Sequence, residues 1–274
     1  MTNRQEIVLK AFLVSLPPEK REALAAHLPP MRRKALSDCP DISLNLSDTP
    51  PNPFDEIHWS WFKDPLQNFD EKEQKLILRA LKSRTQTQLS KAIDVSPTAD
   101  FITPLGAAFF RRTLLKEVEV DVLPVSLLPP SPFNRLLEIE KKRLIQLIDF
   151  LSLYDLFCEI RQIVETKMLN SIYSCLSGEE RKFLKVASHH KEPYPPVRFH
   201  LENWDGSKQM FRKMVHKTGL ARLGSALSGA HPDLIWHLKH RLDRGRGRAL
   251  EKLVLKKAMP GVAKWLAEQL KEFI

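Results

Sequence analysis

Apolar residues recur at intervals of three and four positions along almost the whole chain, and alternating apolar and polar positions are nearly absent. This spacing is typical of amphipathic α-helices. The clearest helical stretches are "DEKEQKLILRALKSRTQTQLSKAI", at 70–93, and "TPLGAAFFRRTLLKEV", at 103–118. Only "VEVDVLPV", at 118–125, favours an extended conformation. The pattern therefore predicts an all-α protein, built as an array of short helices in several domains.

Particular residues mark where some of these helices begin. The chain has 20 prolines against nine glycines, and proline fits the first turn of a helix but not its interior. Pro18 opens "PEKREALAAHL" in this way. Ser177 and Glu180 have the spacing of a capping box, in which each side chain accepts a hydrogen bond from the other residue's backbone N–H. Many short helices are therefore expected rather than a few long ones.

Proline-rich and polar stretches also divide the chain into domains. "SDCPDISLNLSDTPPNP" has the composition of a linker, "EVDVLPVSLLPPSPF" carries four prolines, and "HHKEPYPPVRF" is a further break. The predicted organisation is N-terminal helices at 1–36, a linker at 37–53, a helical domain at 54–118, a proline-rich linker at 119–133, a middle helical domain at 134–190, a proline-rich break at 191–202 and a basic C-terminal helical domain at 203–274.

A weak internal repeat lies within this helical pattern. "EKEQKLILRAL", "EIEKKRLIQLI" and "DGSKQMFRKMV" each join a polar turn to a pair of apolar residues, and the pairs are 68 and 66 residues apart. Each stretch is followed by a second helix of similar length. A repeat of this kind indicates stacked helical units that resemble armadillo repeats.

The composition bears on the compartment. The sequence contains no run of about 18 apolar residues, which is the length that spans a membrane. The N-terminal stretch lacks the small-residue cleavage site of a signal peptide. Cys39, Cys158 and Cys175 are widely spaced and form no CxxC pair, which favours reduced, buried thiols. We therefore expect a cytoplasmic protein, at most peripheral at the inner membrane.

The positive charge is confined to one part of the sequence. Between Gly206 and Lys257 there are 13 Lys or Arg and only three acidic residues, an excess equal to the net charge of +10 of the whole chain. A localised basic surface selects an acidic partner, which could be a nucleic acid, an anionic lipid or an acidic protein surface.

The sequence lacks the usual catalytic and metal-binding patterns. It contains no Gly-rich phosphate loop, no GxSxG and no HExxH. His237 and His240 lie three apart on one helix with His216 and His231 nearby, but no acid completes a recognised ligand set. Solvated or capping roles are favoured for these histidines and for His189–His190. We therefore expect no enzyme, no cofactor and no metal site.

Two further features have competing interpretations. "RLDRGRGRAL" resembles an RG-type nucleic-acid segment, but it lacks interleaved aromatic residues for base stacking, since Trp236 lies at core spacing. Trp59, Trp61 and Phe62 could form an exposed binding patch, although three large apolar residues so close together more often seal a small core. Nucleic-acid binding therefore stays the less favoured alternative.

The C-terminal segment resembles the C-terminal domain of FliG, the flagellar motor switch protein. Ala226-Leu227-Ser228-Gly229-Ala230 matches an "ALKGA"-like turn of that family. Leu234, Leu238 and Leu242 keep the spacing of the helix that follows the turn, and Asp243-Arg244 stands where the family has Ser-Lys/Arg. Phe211, Met214 and Val215 match apolar positions of the helix upstream. The match covers roughly 45 to 70 residues and implies a FliG-like helical domain.

The departures from the FliG pattern change the function that the resemblance implies. Ser207 and Lys208 stand where the family's torque helix begins with paired acids, and Lys217 replaces a later acid. A surface that would meet a motor stator is thus basic, so torque generation is not implied. The resemblance implies a FliG-like or SctK-like accessory subunit of a type III secretion apparatus, linking a membrane ring to cytoplasmic components.

From the residues and this resemblance together, we predict a non-enzymatic scaffold or adaptor. Its partners would be ring or sorting-platform subunits of a secretion or flagellar basal body, with no stable nucleic acid. The alternatives are a type III secretion chaperone that binds secreted substrates and a nucleic-acid-binding regulator. The predicted partner contacts are the basic residues of the C-terminal segment: Arg212, Lys213, Lys217, Arg222, Lys239, Arg241, Arg244, Arg246 and Arg248.

Overall fold

The computed structural model describes residues 4–39, 53–81, 83–118, 121–187, 197–255 and 257–273, which form fifteen α-helices and no β-strand. The first eight helices are α1 (Arg4–Val14), α2 (Pro18–Ala26), α3 (Pro30–Asp38), α4 (Pro53–Glu56), α5 (Lys63–Gln67), α6 (Glu71–Ala80), α7 (Ser83–Ile93) and α8 (Pro104–Lys116). The others are α9 (Lys141–Ile160), α10 (Thr166–Cys175), α11 (Gly178–Ala187), α12 (Lys208–Ala226), α13 (Pro232–Arg241), α14 (Arg244–Leu253) and α15 (Pro260–Phe273). The prediction of an all-α array of short helices is confirmed.

The described residues fall into two compact units. The first comprises Met1–Pro130 and His231–Arg244, and the second comprises Ser131–Ala230 and Gly245–Ile274. The break after Pro130 lies inside the predicted linker at 119–133. The predicted C-terminal domain is divided, because α13 belongs to the first unit while α12 and α15 belong to the second. The finer seven-part organisation stays a prediction, and most of its first linker lies outside the described residues.

Prolines account for where many helices begin. Six helices start with proline as their first residue, at positions where no intrahelical partner exists for a backbone N–H. Pro18 is one of them, as the sequence predicts. The capping box at the start of α11 is also present: Glu180 N donates to Ser177 Oγ at 3.2 Å, and Ser177 N donates to Glu180 Oε2 at 2.7 Å.

Two local predictions are corrected. The stretch at 70–93 is not one helix, because Leu81 adopts an extended conformation (φ −84°, ψ 160°) between α6 and α7. Its side chain is buried with Ile77 and Leu78, so turning the chain at this point keeps all three in the core. The described part of the supposed extended stretch at 118–125 pairs with no strand and lies against the first unit's α13.

The contact with α13 centres on a fully buried carboxylate, Asp233. Arg4 Nε donates to both of its oxygens, at 3.0 and 2.9 Å, and Leu123 N donates to Oδ2 at 3.1 Å. A buried charge is tolerated only when it is paired and hydrogen-bonded. Asp233 therefore ties the first helix of the chain and the segment around Leu123 to the start of α13.

The aromatic cluster at 59–62 is part of a core, as favoured by its sequence. Phe62 is fully buried among Phe54, Leu66 and Leu114, while Trp59 and Trp61 pack against this cluster. The Trp61 indole N–H donates to Leu242 O at 2.9 Å. An exposed aromatic binding patch is therefore not formed here.

In the second unit, α9 and α12 are in direct backbone contact. A Cβ atom at Gly219 would lie 1.9 Å from Ile148 O, so no larger residue fits without separating the helices. After α12, Gly229 adopts φ +86°, a left-handed conformation that favours glycine. The chain therefore turns within 226–230 at a glycine whose backbone conformation other residues rarely adopt.

The core of the second unit contains a buried ion pair between α9 and α12. Arg222 and Asp155 are both fully buried, and Arg222 Nε donates to Asp155 Oδ2 at 3.1 Å. Asp155 also accepts from Val197 N at 2.9 Å, and the Arg222 guanidinium lies 5.4 Å from the centre of the Trp265 ring. Burial raises the pKa of Asp155, and the charge of Arg222 opposes that rise. Arg222 is thus corrected from a surface contact to a core residue.

Candidate docking groove

The second unit carries an elongated groove of about 780 Å³ between α12 and α14. Residues every four positions line its walls, since side chains four apart lie above one another on a helix. The α12 wall consists of two such rows, Lys208, Arg212, His216 and Leu220, and Gln209, Lys213 and Lys217. The α14 wall consists of Gly245, Arg246, Ala249 and Leu253.

The groove has an apolar floor and a cationic rim. Leu220, Ala249 and Leu253 supply aliphatic surface, and Leu220 is buried. Lys213 and Lys217 are exposed along α12, and Lys208 is exposed at its start. No carboxylate lies among the described residues that line the groove. The arrangement offers burial for apolar side chains and a positive potential for acidic ones.

Arg212 is held at the rim by acceptors from neighbouring helices. Its Nη2 donates to Glu180 Oε2 at 2.8 Å and to Cys175 O at 2.9 Å. Burial raises the pKa of Glu180, but the hydrogen bonds from Arg212 and Ser177 outweigh this effect and leave that pKa below its ordinary value. The capping residue of α11 thus also positions a rim cation.

Replacing Glu180 with glutamine is expected to lower the free energy of unfolding by about 1 to 2 kcal/mol at neutral pH. A carboxylate whose pKa is lowered by folding stabilises the fold above its unfolded pKa, and this stabilisation is lost as pH falls through the folded pKa. The difference between wild type and Glu180→Gln should therefore shrink in acid. Urea unfolding at pH values around 7 and 3 measures this, with the exposed Glu179→Gln as control. A difference that does not change with pH would contradict the ion pair.

Arg246 is positioned by a chain of three side chains. His216 Nδ1 lies 2.6 Å from Asp149 Oδ1, and Arg246 Nε donates to His216 Nε2 at 2.8 Å. Because Arg246 can only donate, Nε2 accepts, and the proton on Nδ1 is directed at Asp149. This tautomer links α9, α12 and α14 and holds the cation Arg246 on the α14 wall.

The remaining predicted contacts lie elsewhere. Lys239, Arg241 and Arg244 belong to the first unit. Lys239 Nζ lies 5.3 Å from the centre of the Trp61 ring, and Arg244 pairs with Asp64. Burial lowers the pKa of the half-buried Arg241. Arg248 is exposed on α14 but does not line the groove.

The structure thus brings together in the groove only part of the predicted set: Arg212, Lys213, Lys217 and Arg246.

The histidines are mostly engaged in packing. His231 caps α13 by accepting from Asp233 N at 3.2 Å, as predicted. His237 and His240 are buried rather than solvated: His237 Nε2 lies 2.8 Å from Leu123 O, and the His240 ring stacks 4.0 Å from the Trp236 ring. In the part of the chain that the structure describes, no three His, Cys, Asp or Glu residues are grouped to hold a metal ion. His189–His190 lie outside the described residues.

The structure describes the cysteines and the helices on which the expected compartment depends. Cys39 and Cys175 are buried free thiols, and Cys158 is half-buried rather than buried. Every helix in the described ranges is too short or too polar to cross a membrane.

Comparison of the chain with family models, with curated proteins and with solved structures finds no match. The resemblance to FliG therefore stays a prediction.

Several residues that line the groove are not among the predicted partner contacts. Lys208, His216 and Leu220 continue the four-residue row of Arg212, so the helical spacing of α12 already contained that wall. Ala249 and Leu253 form a similar row on α14. The sequence holds no local feature that pairs these two walls, because their proximity arises from packing in the second unit.

Proposed function

We propose that the protein is a non-enzymatic adaptor that docks a protein partner in the cationic groove of its second unit. The observation that carries this proposal is an apolar floor bordered by exposed lysines within a single groove. Protein interfaces place an apolar centre inside a polar rim, and rim charges steer the encounter with a partner of opposite sign. The groove combines both features on rigid helices.

The resemblance to FliG is the basis for proposing where in the cell this adaptor acts. It would act on the cytoplasmic side of a type III secretion or flagellar-type apparatus and link a membrane ring to cytoplasmic components. Lys208 and Lys217, which replace acids of the torque helix, both line the groove. These two departures from the FliG pattern are therefore positions at which the chain would bind an acidic partner.

The test is a crosslinking pull-down from cells that compares the wild type with the double variant Lys213→Glu/Lys217→Glu. We expect ring or sorting-platform subunits with the wild type and about a tenfold lower recovery with the variant, because both substitutions reverse the rim potential. Lys264→Glu/Lys271→Glu is the matched control, since both lysines are exposed and lie outside the groove, on α15.

Other outcomes would favour the alternatives. Recovery of secreted substrates in a stable complex would indicate a chaperone instead. Recovery of nucleic acid alone would overturn both protein-binding roles, and equal recovery with both double variants would remove the groove from the docking surface.

A further inference from the structure

We infer that the groove receives an acidic amphipathic helix of about three turns. This inference rests on the proposed function and adds the chemistry of the partner. Four properties carry it: the length of the groove, the type of its walls, the charge of its rim and the apolar character of its floor.

The length of the groove matches a short helix. Its lining on α12 extends from Lys208 to Leu220. At a rise of 1.5 Å per residue, this interval spans about 18 Å, or a little more than three helical turns. A partner helix of about 12 residues lying along α12 would be as long as this row, whereas a small metabolite would reach only part of it.

The walls favour a helix over an extended peptide. Extended peptides bind by adding a strand to a free sheet edge or by docking in a groove lined with aromatic rings. The described residues contain no sheet, and the described lining of the groove contains no Phe, Tyr or Trp. Beyond the first turn of each helix, both walls present side chains, because the backbone N–H groups there are bonded within the helix. A helix, which likewise presents only side chains, fits such walls through rows spaced by three and four residues.

The charges of the rim specify acidic residues on both flanks of the partner. Lys213 and Lys217 are exposed on the α12 side, and Arg246 is held on the α14 side by His216. The floor between them is formed by Leu220, Ala249 and Leu253. Acids on either side of an apolar stripe would therefore meet cations on both walls while the stripe is buried.

The floor also separates a protein helix from nucleic acid, which shares the negative charge. A phosphate backbone brings no aliphatic group to cover the floor, and no Phe, Tyr or Trp side chain for base stacking lines the groove among the described residues. A helix with apolar residues at positions i, i+3 or i+4, and i+7 would cover this floor. It would therefore gain more free energy from apolar burial than a nucleic acid would.

The experiment is a selection from a display library of helical peptides about 15 residues long, with the full-length protein as target. We expect the enriched peptides to carry Asp or Glu on both flanks of an apolar stripe. A synthetic enriched peptide should bind Lys213→Glu/Lys217→Glu at least about tenfold more weakly than wild type at low salt. Ala249→Trp, which fills the floor, should weaken binding of the peptide by a similar factor. Lys264→Glu/Lys271→Glu should leave the affinity of the peptide unchanged.

Circular dichroism of each variant checks that the fold is retained. Enrichment of peptides without acids or without an apolar stripe, no enrichment, or affinity unchanged by both groove variants would overturn the inference. Displacement of the peptide by duplex DNA at equal affinity would assign the groove to nucleic acid instead.

The two proposals fail separately. If the peptides behave as expected but the pull-down recovers no apparatus subunit, the groove binds acidic helices in another setting. If apparatus subunits are recovered and the peptide selection fails, the adaptor role stands and the partner of the groove is not an acidic helix.

Discussion

Replacing Arg222 with methionine is expected to lower the free energy of unfolding by about 3 to 5 kcal/mol. The change removes the only cation that the structure places on the buried Asp155 among the described residues, and an uncompensated charge in a core is costly. The lost contact with the Trp265 ring adds a smaller penalty. Urea unfolding at neutral pH measures the change.

The pH dependence of this variant separates charge from packing. Without Arg222, burial raises the pKa of Asp155 further, and only the hydrogen bond from Val197 N still opposes that rise. When folding raises the pKa of a carboxyl, the folded protein tolerates the neutral form at pH values below the unfolded pKa. The folded state then loses stability as pH rises through the folded pKa. The deficit of Arg222→Met should therefore be smaller in acid than at neutral pH. A deficit that is equal at both, or below about 1 kcal/mol, would contradict the buried ion pair.

The double variant Arg222→Met/Asp155→Asn is the companion experiment. Asparagine keeps an oxygen that accepts from Val197 N, but it carries no charge. The double variant should recover most of the stability that Arg222→Met loses, since removing both charges avoids the unpaired carboxylate. No recovery would mean that the loss comes from the shape of the arginine side chain.

Gly219→Ala is expected to lower the free energy of unfolding by about 3 kcal/mol. At an open helical position the same substitution stabilises a helix by about 1 kcal/mol. Here the new Cβ would lie 1.9 Å from Ile148 O, so α9 and α12 must move apart and lose contacts along their whole interface. Thermal unfolding followed by circular dichroism measures the loss.

Gly261→Ala is the matched control, because nothing lies within 4 Å of the Cβ that it would add near the start of α15. It should be neutral or slightly stabilising. If Gly219→Ala changes the stability no more than Gly261→Ala does, that result would contradict the direct backbone contact between α9 and α12.

The features that could be predicted from the sequence are those set by neighbours along the chain. Helical spacing indicated the all-α class, and the interval between Ser177 and Glu180 indicated the capping box that the structure shows. Pro18 marked the start of α2 for an equally local reason. In each case the interacting groups lie within one turn of one another.

The features that escaped prediction depend on residues far apart in sequence. Arg222 stands in a basic segment and looks exposed, but its partner Asp155 is 67 residues away. Asp149, which orients His216 in the groove, is separated from it by 67 residues as well. The spacing of α12 predicts which residues share a face, but not which face meets α9, α14 or solvent.

The tie between Arg4 and Asp233 has a consequence for synthesis of the chain. The two residues are 229 positions apart, so the first unit cannot be completed until α13 has left the ribosome. At about 5 to 20 residues per second, α1 waits roughly 10 to 50 s for its partner. Completion of the first unit is therefore a late event in biogenesis.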